Sequence, residues 1–260
     1  MIAAPLPRAR AWMLGGAGAA AFAALWSAAA LSGATSRNFL PAPWDVVLRF
    51  VDLLVHPFAG YTLPQHLLAS LQRFGLGWAL AVAVGLPLGL AMARLRWLER
   101  IVSPAFDAVR FVAPIAWVPF AALWFGTGIG GPVLIIFTGA FPPVLINTLR
   151  GAQQVEVRHI EAARMLGVGH LRMMTEVLLP AAMPAIVAGL RVSAGLGWQS
   201  LVGAELIVAA SGVGDLLVKG QAAVSTATVM SGMIAIGAVG VVIDVALRRL
   251  QHAIESRRGG

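Results

Sequence analysis

Long runs of apolar residues, separated by short polar connections, dominate the chain. Six of these runs approach the ~20 residues that a helix needs to cross a ~30 Å hydrocarbon layer. The third and fourth are divided at Gly126 to Gly131, because one helix across both would be too long for a bilayer. The pattern predicts an all-α membrane protein with spans at about 11–31, 68–93, 105–125, 132–149, 183–209 and 228–247.

Composition supports a membrane protein and excludes several kinds of chemistry. Of 260 residues, 59% are hydrophobic and 12% are charged, against roughly a quarter charged in soluble domains. The chain contains no cysteine, which excludes disulfide frameworks, thiolate nucleophiles and Cys-ligated metals. The net charge of +8 would suggest nucleic acid in a soluble chain, but in a membrane chain it points to cytoplasmic loops.

Arginines concentrate in alternate connections between the predicted spans. They follow span two (Arg94, Arg96, Arg100), span four (Arg150, Arg158, Arg164, Arg172) and span six (Arg248, Arg249). The positive-inside rule therefore predicts that both termini lie in the cytoplasm, and no nucleic-acid partner is needed to explain the charge. A cleaved signal peptide is the alternative for the first run, but Trp12 to Leu31 is long for one, so a retained helix is favoured.

Glycine and proline mark the predicted spans as close-packed and bent. Gly85 and Gly89 form a G-x-x-x-G spacing, which permits close approach of another helix. The prolines of spans three and four (Pro114, Pro119, Pro142, Pro143) each remove a backbone donor. Such helices suit a bundle that surrounds a path and moves.

The segment "EAARMLGVGHLRMMTEVLLP", residues 161–180, lies between two long apolar runs. Glu161 to Leu166 are good helix formers, and Gly167 with Gly169 can supply a sharp turn. A second helix is predicted from His170 to Leu178, stopped by Pro180. Taken alone, this pattern fits a solvated helical hairpin equally well.

The full spacing of this segment resembles the EAA loop of permease subunits in bacterial ABC importers. The matching residues are Glu161, Ala162, Ala163, Gly167, Val177, Leu179 and Pro180. The stretches "APIAWVPFAALWFGTG" and "GLRVSAGLGWQSLVGAEL" further resemble the nitrate, sulfonate and taurine permeases, especially the taurine branch. The resemblance implies a type I importer (MetI-like) fold, with residues 1–260 as one permease domain and residues 150–182 as a cytoplasmic EAA loop.

The resemblance also implies partners and a division of labour. The EAA loop would form a coupling helix that docks on an ATPase subunit, which would carry the ATP and Mg. The permease would bind no cofactor or metal and would perform no catalysis. It would act in the bacterial inner membrane, among lipid, with a second copy of itself, two ABC ATPases and a periplasmic substrate-binding protein. The alternative from another class is a self-contained channel or energy-independent carrier.

Polar residues in the spans are candidates for the translocation path, because charges at membrane depth are costly and indicate function. We assign Arg73, Arg191, Trp198, Gln199, Ser200 and Glu205 to this path, with an exposed helix end as the alternative for Glu205. Asp107 and Arg110, three residues apart, are predicted to pair. Taurine or another alkyl sulfonate is the favoured substrate, nitrate the second, and a nutrient such as a pyrimidine precursor the third.

An enzyme is disfavoured by the absence of motifs. The five histidines do not form a pair at metal-ligand spacing, and the sequence has no G-x-S-x-G, H-E-x-x-H or P-loop motif.

Overall fold

The computed structural model describes residues 8–32, 36, 39–126, 128–169 and 172–256, and these are almost entirely helical. The all-α fold class is confirmed. The helices are α1 (Arg8–Leu31), α2 (Pro43–Val55), α3 (Leu63–Arg94), α4 (Arg96–Arg110), α5 (Val118–Phe125), α6 (Gly130–Gln153), α7 (Val157–Met165), α8 (Leu179–Val208), α9 (Val213–Ala222) and α10 (Thr226–Ser256). A 3₁₀ turn covers Pro114–Trp117 and a π-helical turn covers Met173–Leu178.

Five described helices are long and apolar enough to cross a membrane: Met13–Leu31, Leu63–Arg94, Gly130–Gln153, Met173–Ile207 and Thr226–Ile254. The predicted span at 105–125 is not one helix, because α4 and the segment Pro114–Phe125 meet at 89°. Pro114 accounts for the break, since it forces the preceding Ala113 into an extended conformation (φ −57°, ψ 139°). The short helices α2 and α9 were not predicted.

The chain divides into two compact units, of which the first comprises Met1–Leu63 and Leu216–Ile234. In its described part, Ser231 donates a hydrogen bond of 3.1 Å to the carbonyl of Val46, and Arg49 Nε donates to Thr228 Oγ1 at 3.0 Å. These contacts tie α2 to the start of α10. The side chains of Val46 and Leu53 are fully buried there.

The second unit comprises Pro64–Asp215 and Ala235–Gly260. Small residues let its long helices pack closely. A Cβ added at Gly85 would lie 2.9 Å from Val144 Cγ1, and one at Gly89 would lie 2.8 Å from Thr148 Cβ. The G-x-x-x-G spacing of α3 therefore does bring another helix, α6, into close contact.

Helices α6 and α8 form the antiparallel centre of the second unit. Gly151 of α6 faces Ala182 and Ala185, while Gly189 of α8 faces Asn147. A cluster of buried and partly buried residues then joins α3, α6, α8 and α10 (Phe74, Ile136, Ala194, Trp198, Leu201, Ile236, Val239, Ile243). This packing holds α8, which carries most of the candidate path residues.

Candidate functional sites: the loop before α8 and the polar residues of the second unit

The loop between α6 and α8 turns sharply after helix α7. Gly167 has φ +71°, a left-handed conformation that glycine adopts without steric cost. On either side of it, Leu166 N donates to the Ala162 carbonyl and Val168 N to the Ala163 carbonyl, each at 3.1 Å. The left-handed backbone conformation therefore explains why glycine occupies this position of the segment.

Ala163 belongs to a small apolar cluster inside this loop. Its methyl group packs with Met173 and Leu178, and four partly buried residues pack against them: Val155, Ile160, Val168 and Val177. The small side chain of Ala163 is buried where α7 and the π-helical turn pack together. Leu179 and Pro180 are half-buried at the start of α8.

The opposite face of the loop is exposed. Glu161 and Ala162 are exposed, and Met165 and Leu166 each have 83% of their surface accessible. Large exposed apolar side chains beside a turn are typical of an interaction surface. We call Glu161, Ala162, Met165 and Leu166 the docking face.

The prediction that Pro180 stops a separate helix is wrong. The π-helical turn Met173–Leu178 runs directly into α8, with Leu179 N donating to the Met174 carbonyl five residues back. Pro180, which has no N–H, lies where this spacing changes to the α-helical one, so the missing donor does not end the helix. His170 and Leu171, where the predicted second helix begins, lie outside the described residues.

Arg73 and Glu205 meet in a buried ion pair. Arg73 Nη1 donates to Glu205 Oε1 at 2.8 Å and to the Ser211 carbonyl at 2.6 Å, while Nη2 donates to Ser211 Oγ at 2.8 Å. Ser70 and the Gly214 amide also donate to the carboxylate. Glu205 is therefore not at an exposed helix end, and these contacts explain both charges as a link from α3 to the turn after α8.

Arg191 also has a carboxylate partner, but in a more open setting. Its Nε donates to Asp244 Oδ1 at 2.5 Å, and Arg248 donates to Oδ2 of the same carboxylate at 2.6 Å. Two cations thus share one anion. The cluster keeps a net positive charge beside a hollow of about 460 Å³ that Gln199 also lines.

Trp198, Gln199 and Ser200 are consecutive in α8 but have different surroundings. The Trp198 indole is buried against Phe74, edge to face at 5.5 Å, and donates to the Ile236 carbonyl. Gln199 and Ser200 instead line a second hollow of about 370 Å³. Trp198 is therefore a packing residue in this structure.

Arg110 lines the hollow of Gln199 and Ser200, and it was not among the predicted path residues. The predicted pair is confirmed, since Arg110 Nε lies 2.8 Å from Asp107 Oδ1. That pairing had favoured a structural interpretation of Arg110. Pro142 and Pro143, which also line the hollow, could have indicated the site, because each leaves a backbone carbonyl of α6 without its helical donor.

The chain is similar to known membrane components of transport systems. Residues 85–260 match the family described as binding-protein-dependent transport system inner membrane component. The taurine transport system permease protein TauC of Escherichia coli (strain K12) is 34% identical over 235 residues, covering 90% of this chain and 85% of that protein. SsuC of Bacillus subtilis (strain 168), whose name assigns it to aliphatic sulfonates transport, is 34% identical over 94% of this chain and 87% of that protein.

Other relatives differ in their named substrates. The bicarbonate transport system permease protein CmpB of Synechococcus elongatus is 32% identical over 92% of this chain and 87% of that protein. A chain of the inward-facing MetNI methionine ABC transporter matches with TM-score 0.63 and 19% identity, over 82% of this chain and 98% of that chain, and shows the fold. This chain therefore belongs to the binding-protein-dependent inner-membrane components, the permease subunits of ABC importers.

Proposed function

We propose that this MetI-like permease subunit works as a homodimer with two ATPase subunits and a periplasmic binding protein, and that it imports a small anionic nutrient. An alkyl sulfonate such as taurine is the favoured substrate, and nitrate is second. The names of the relatives TauC and SsuC support the sulfonate. The positive charge left on the cluster of Arg191, Asp244 and Arg248 favours an anion.

The docking face carries the proposal of ATPase coupling. It presents Glu161, Ala162 and two exposed apolar side chains around the left-handed Gly167. Its inner side is held by Ala163 and Val177 in a small cluster that is continuous with α8. A force applied to the docking face would thus be transmitted to the helix that carries Gln199 and Ser200.

Coupling requires that the partners distinguish two arrangements of the permease. ATP, bound with Mg on the ATPases, and the loaded binding protein must each bind one arrangement more tightly, because only differential affinity shifts a conformational equilibrium. This chain supplies the path and the docking face and takes part in no covalent step. We infer an orientation with both termini in the cytoplasm, since the loop at residues 150–182 carries Arg150 and Arg172.

The experiment is co-purification with an ABC ATPase subunit, then ATPase assays in lipid with a periplasmic binding protein loaded with taurine, other sulfonates or nitrate. We expect one loaded receptor to stimulate hydrolysis and Glu161→Lys to abolish stimulation. Glu176→Lys makes the same charge reversal at another exposed site of the loop and should retain it. Substrate flux from this chain alone, with no ATPase bound, would support the channel or carrier instead.

A further inference from the structure

The hollow beside Gln199 brings together polar groups from three elements of the second unit. It is lined by Arg110 at the end of α4, Thr138 and Gly139 of α6, and Gln199 and Ser200 of α8. At about 370 Å³ it can hold a small organic molecule. Arg110 is the cation in its lining.

Arg110 keeps donors available toward this hollow. Its Nε pairs with Asp107, which is half exposed, and its guanidinium carbon lies 4.8 Å from the ring centre of Phe111. Among the described residues, Asp107 is the one polar partner found for the Arg110 side chain. Nη1 and Nη2 are therefore free for the bidentate contact with an oxyanion that a guanidinium favours.

Gln199 adds a second donor. Its side chain is exposed, and its amide makes no hydrogen bond within the described part of the chain. Ser200 and Thr138, by contrast, donate their hydroxyl groups to the carbonyls of Leu196 and Ile135. Arg110 and Gln199 are thus the groups suited to binding an anion.

Two consecutive prolines leave two carbonyl groups of residues that line the same hollow without a helical donor. In a helix, residues 142 and 143 would donate to the carbonyls of residues 138 and 139. Pro142 and Pro143 have no N–H, so the carbonyls of Thr138 and Gly139 lack this helical partner. Thr138 and Gly139 both line the hollow. An ammonium group is a suitable donor for such carbonyls.

We propose that this hollow is a binding site for a zwitterion, with its sulfonate on Arg110 and Gln199 and its ammonium on the carbonyls of Thr138 and Gly139. The inference rests on the proposed function and narrows it to amino-substituted sulfonates. It also separates them from nitrate, bicarbonate and simple alkyl sulfonates, which have no ammonium group.

The path continues from this hollow toward the docking face. Gln199 also lines the hollow of Arg191, Asp244 and Gln251. Arg191 lies eight residues before Gln199 in α8, about 12 Å nearer the start of the helix. An anion released by Arg110 thus meets a second positively charged site in the direction of the loop.

The absence of native cysteine permits a direct test of the anion site in the full transporter in membrane vesicles. Ser200→Cys places one thiol in the hollow. Its labelling rate with 2-sulfonatoethyl methanethiosulfonate is divided by its rate with the neutral methyl reagent. We expect Arg110→Gln to lower this ratio about fivefold, through loss of the local positive potential.

Two controls accompany this measurement. Arg100→Gln makes the same substitution at an exposed position of the same helix and should leave the ratio unchanged. Val241→Cys, exposed on α10 and outside both hollows, should give a ratio that Arg110→Gln does not alter. An unchanged ratio at Ser200→Cys in Arg110→Gln, or an unreactive thiol there, would overturn the anion site.

The ammonium site is tested by protection of the same thiol from the neutral reagent. Taurine should protect at about tenfold lower concentration than ethanesulfonate, because the carbonyls add hydrogen bonds to a charged group. Pro142→Ala combined with Pro143→Ala restores the two N–H donors and should remove this preference. Equal protection by both compounds before that change would overturn the zwitterion assignment.

These outcomes separate the inference from the proposed function. If the transporter imports taurine but Arg110→Gln leaves the labelling ratio unchanged, the hollow is not the anion site and the proposed function stands. If no sulfonate is imported but the ratio falls as expected, the anion site stands and the sulfonate assignment fails.

Discussion

Arg73 and Arg191 both lie in long apolar helices and both pair with a carboxylate of another helix, yet their surroundings differ. The side chains of Arg73 and Glu205 are 10% and 1% exposed, and both terminal nitrogens of Arg73 are occupied. Those of Arg191 and Asp244 are 36% and 39% exposed, and Asp244 is shared with Arg248. A charge at membrane depth is thus structural when it is enclosed and satisfied, and available to a ligand when it is open and incompletely compensated.

The largest expected effect comes from breaking the buried pair. Glu205→Ala leaves Arg73 buried without its partner and should lower the free energy of unfolding by about 3–5 kcal/mol. Unfolding by SDS in mixed micelles measures this change. The double variant Arg73→Met with Glu205→Leu should recover much of the loss, since it leaves no buried charge. Normal stability of Glu205→Ala alone would show that the pair is not structural.

The turn that closes the buried pair gives the next effect. Gly212 has φ +116°, and a Cβ there would overlap the Glu205 carboxylate. Gly212→Ala should therefore cost about 1–3 kcal/mol of unfolding free energy. Gly237→Ala is the matched control, because nothing lies within 4 Å of its added Cβ. Equal stability of the two variants would argue against a tight fit at Gly212.

Arg191→Gln should separate function from stability. Because the pair is more than a third exposed, its loss should change the unfolding free energy by less than about 1 kcal/mol. Substrate uptake should nevertheless fall about tenfold, through loss of the local positive field. Thermal unfolding and uptake measured on the same preparation test both statements. A large loss of stability with normal specific uptake would show that Arg191, like Arg73, has a structural role.

Arg248→Gln should have the smallest effect. Arg248 pairs with Asp244 at i,i+4 on α10 and is half exposed, so its loss should cost only about 0.2–0.5 kcal/mol. Uptake should decrease less than in Arg191→Gln, because Arg248 is not among the residues lining the hollow. A greater decrease than in Arg191→Gln would reverse the assigned roles.

The sequence predicted the long helices well because their apolar runs are continuous, and it located the turn at Gly167. It did not predict α2 or α9, which are too short to appear as spans. Pro180 was misjudged because a π-helical turn can absorb a missing donor, and local propensity does not indicate such a turn. The partner of Arg73 is 132 residues away, and such pairings depend on how helices pack rather than on local pattern.

The surroundings of the candidate path residues likewise depend on helix packing rather than on local pattern. Gln199 and Ser200 were predicted, and they do line a hollow, but Arg110 was explained by its local partner Asp107. Its position beside Gln199 depends on the bend at Ala113 and Pro114, which places the end of α4 near α8. Trp198 packs against Phe74 while its neighbours line the hollow, because adjacent residues of a helix face about 100° apart.

We propose that this chain forms the path through which an ATPase and a loaded receptor drive anion import. The most direct test is uptake of labelled taurine into proteoliposomes that contain the permease with its ATPase, with ATP on the ATPase side and the binding protein on the other. We predict uptake that requires ATP, ATPase and receptor together and is lost in Glu161→Lys. Taurine uptake of equal rate without ATP or the ATPase would contradict the account.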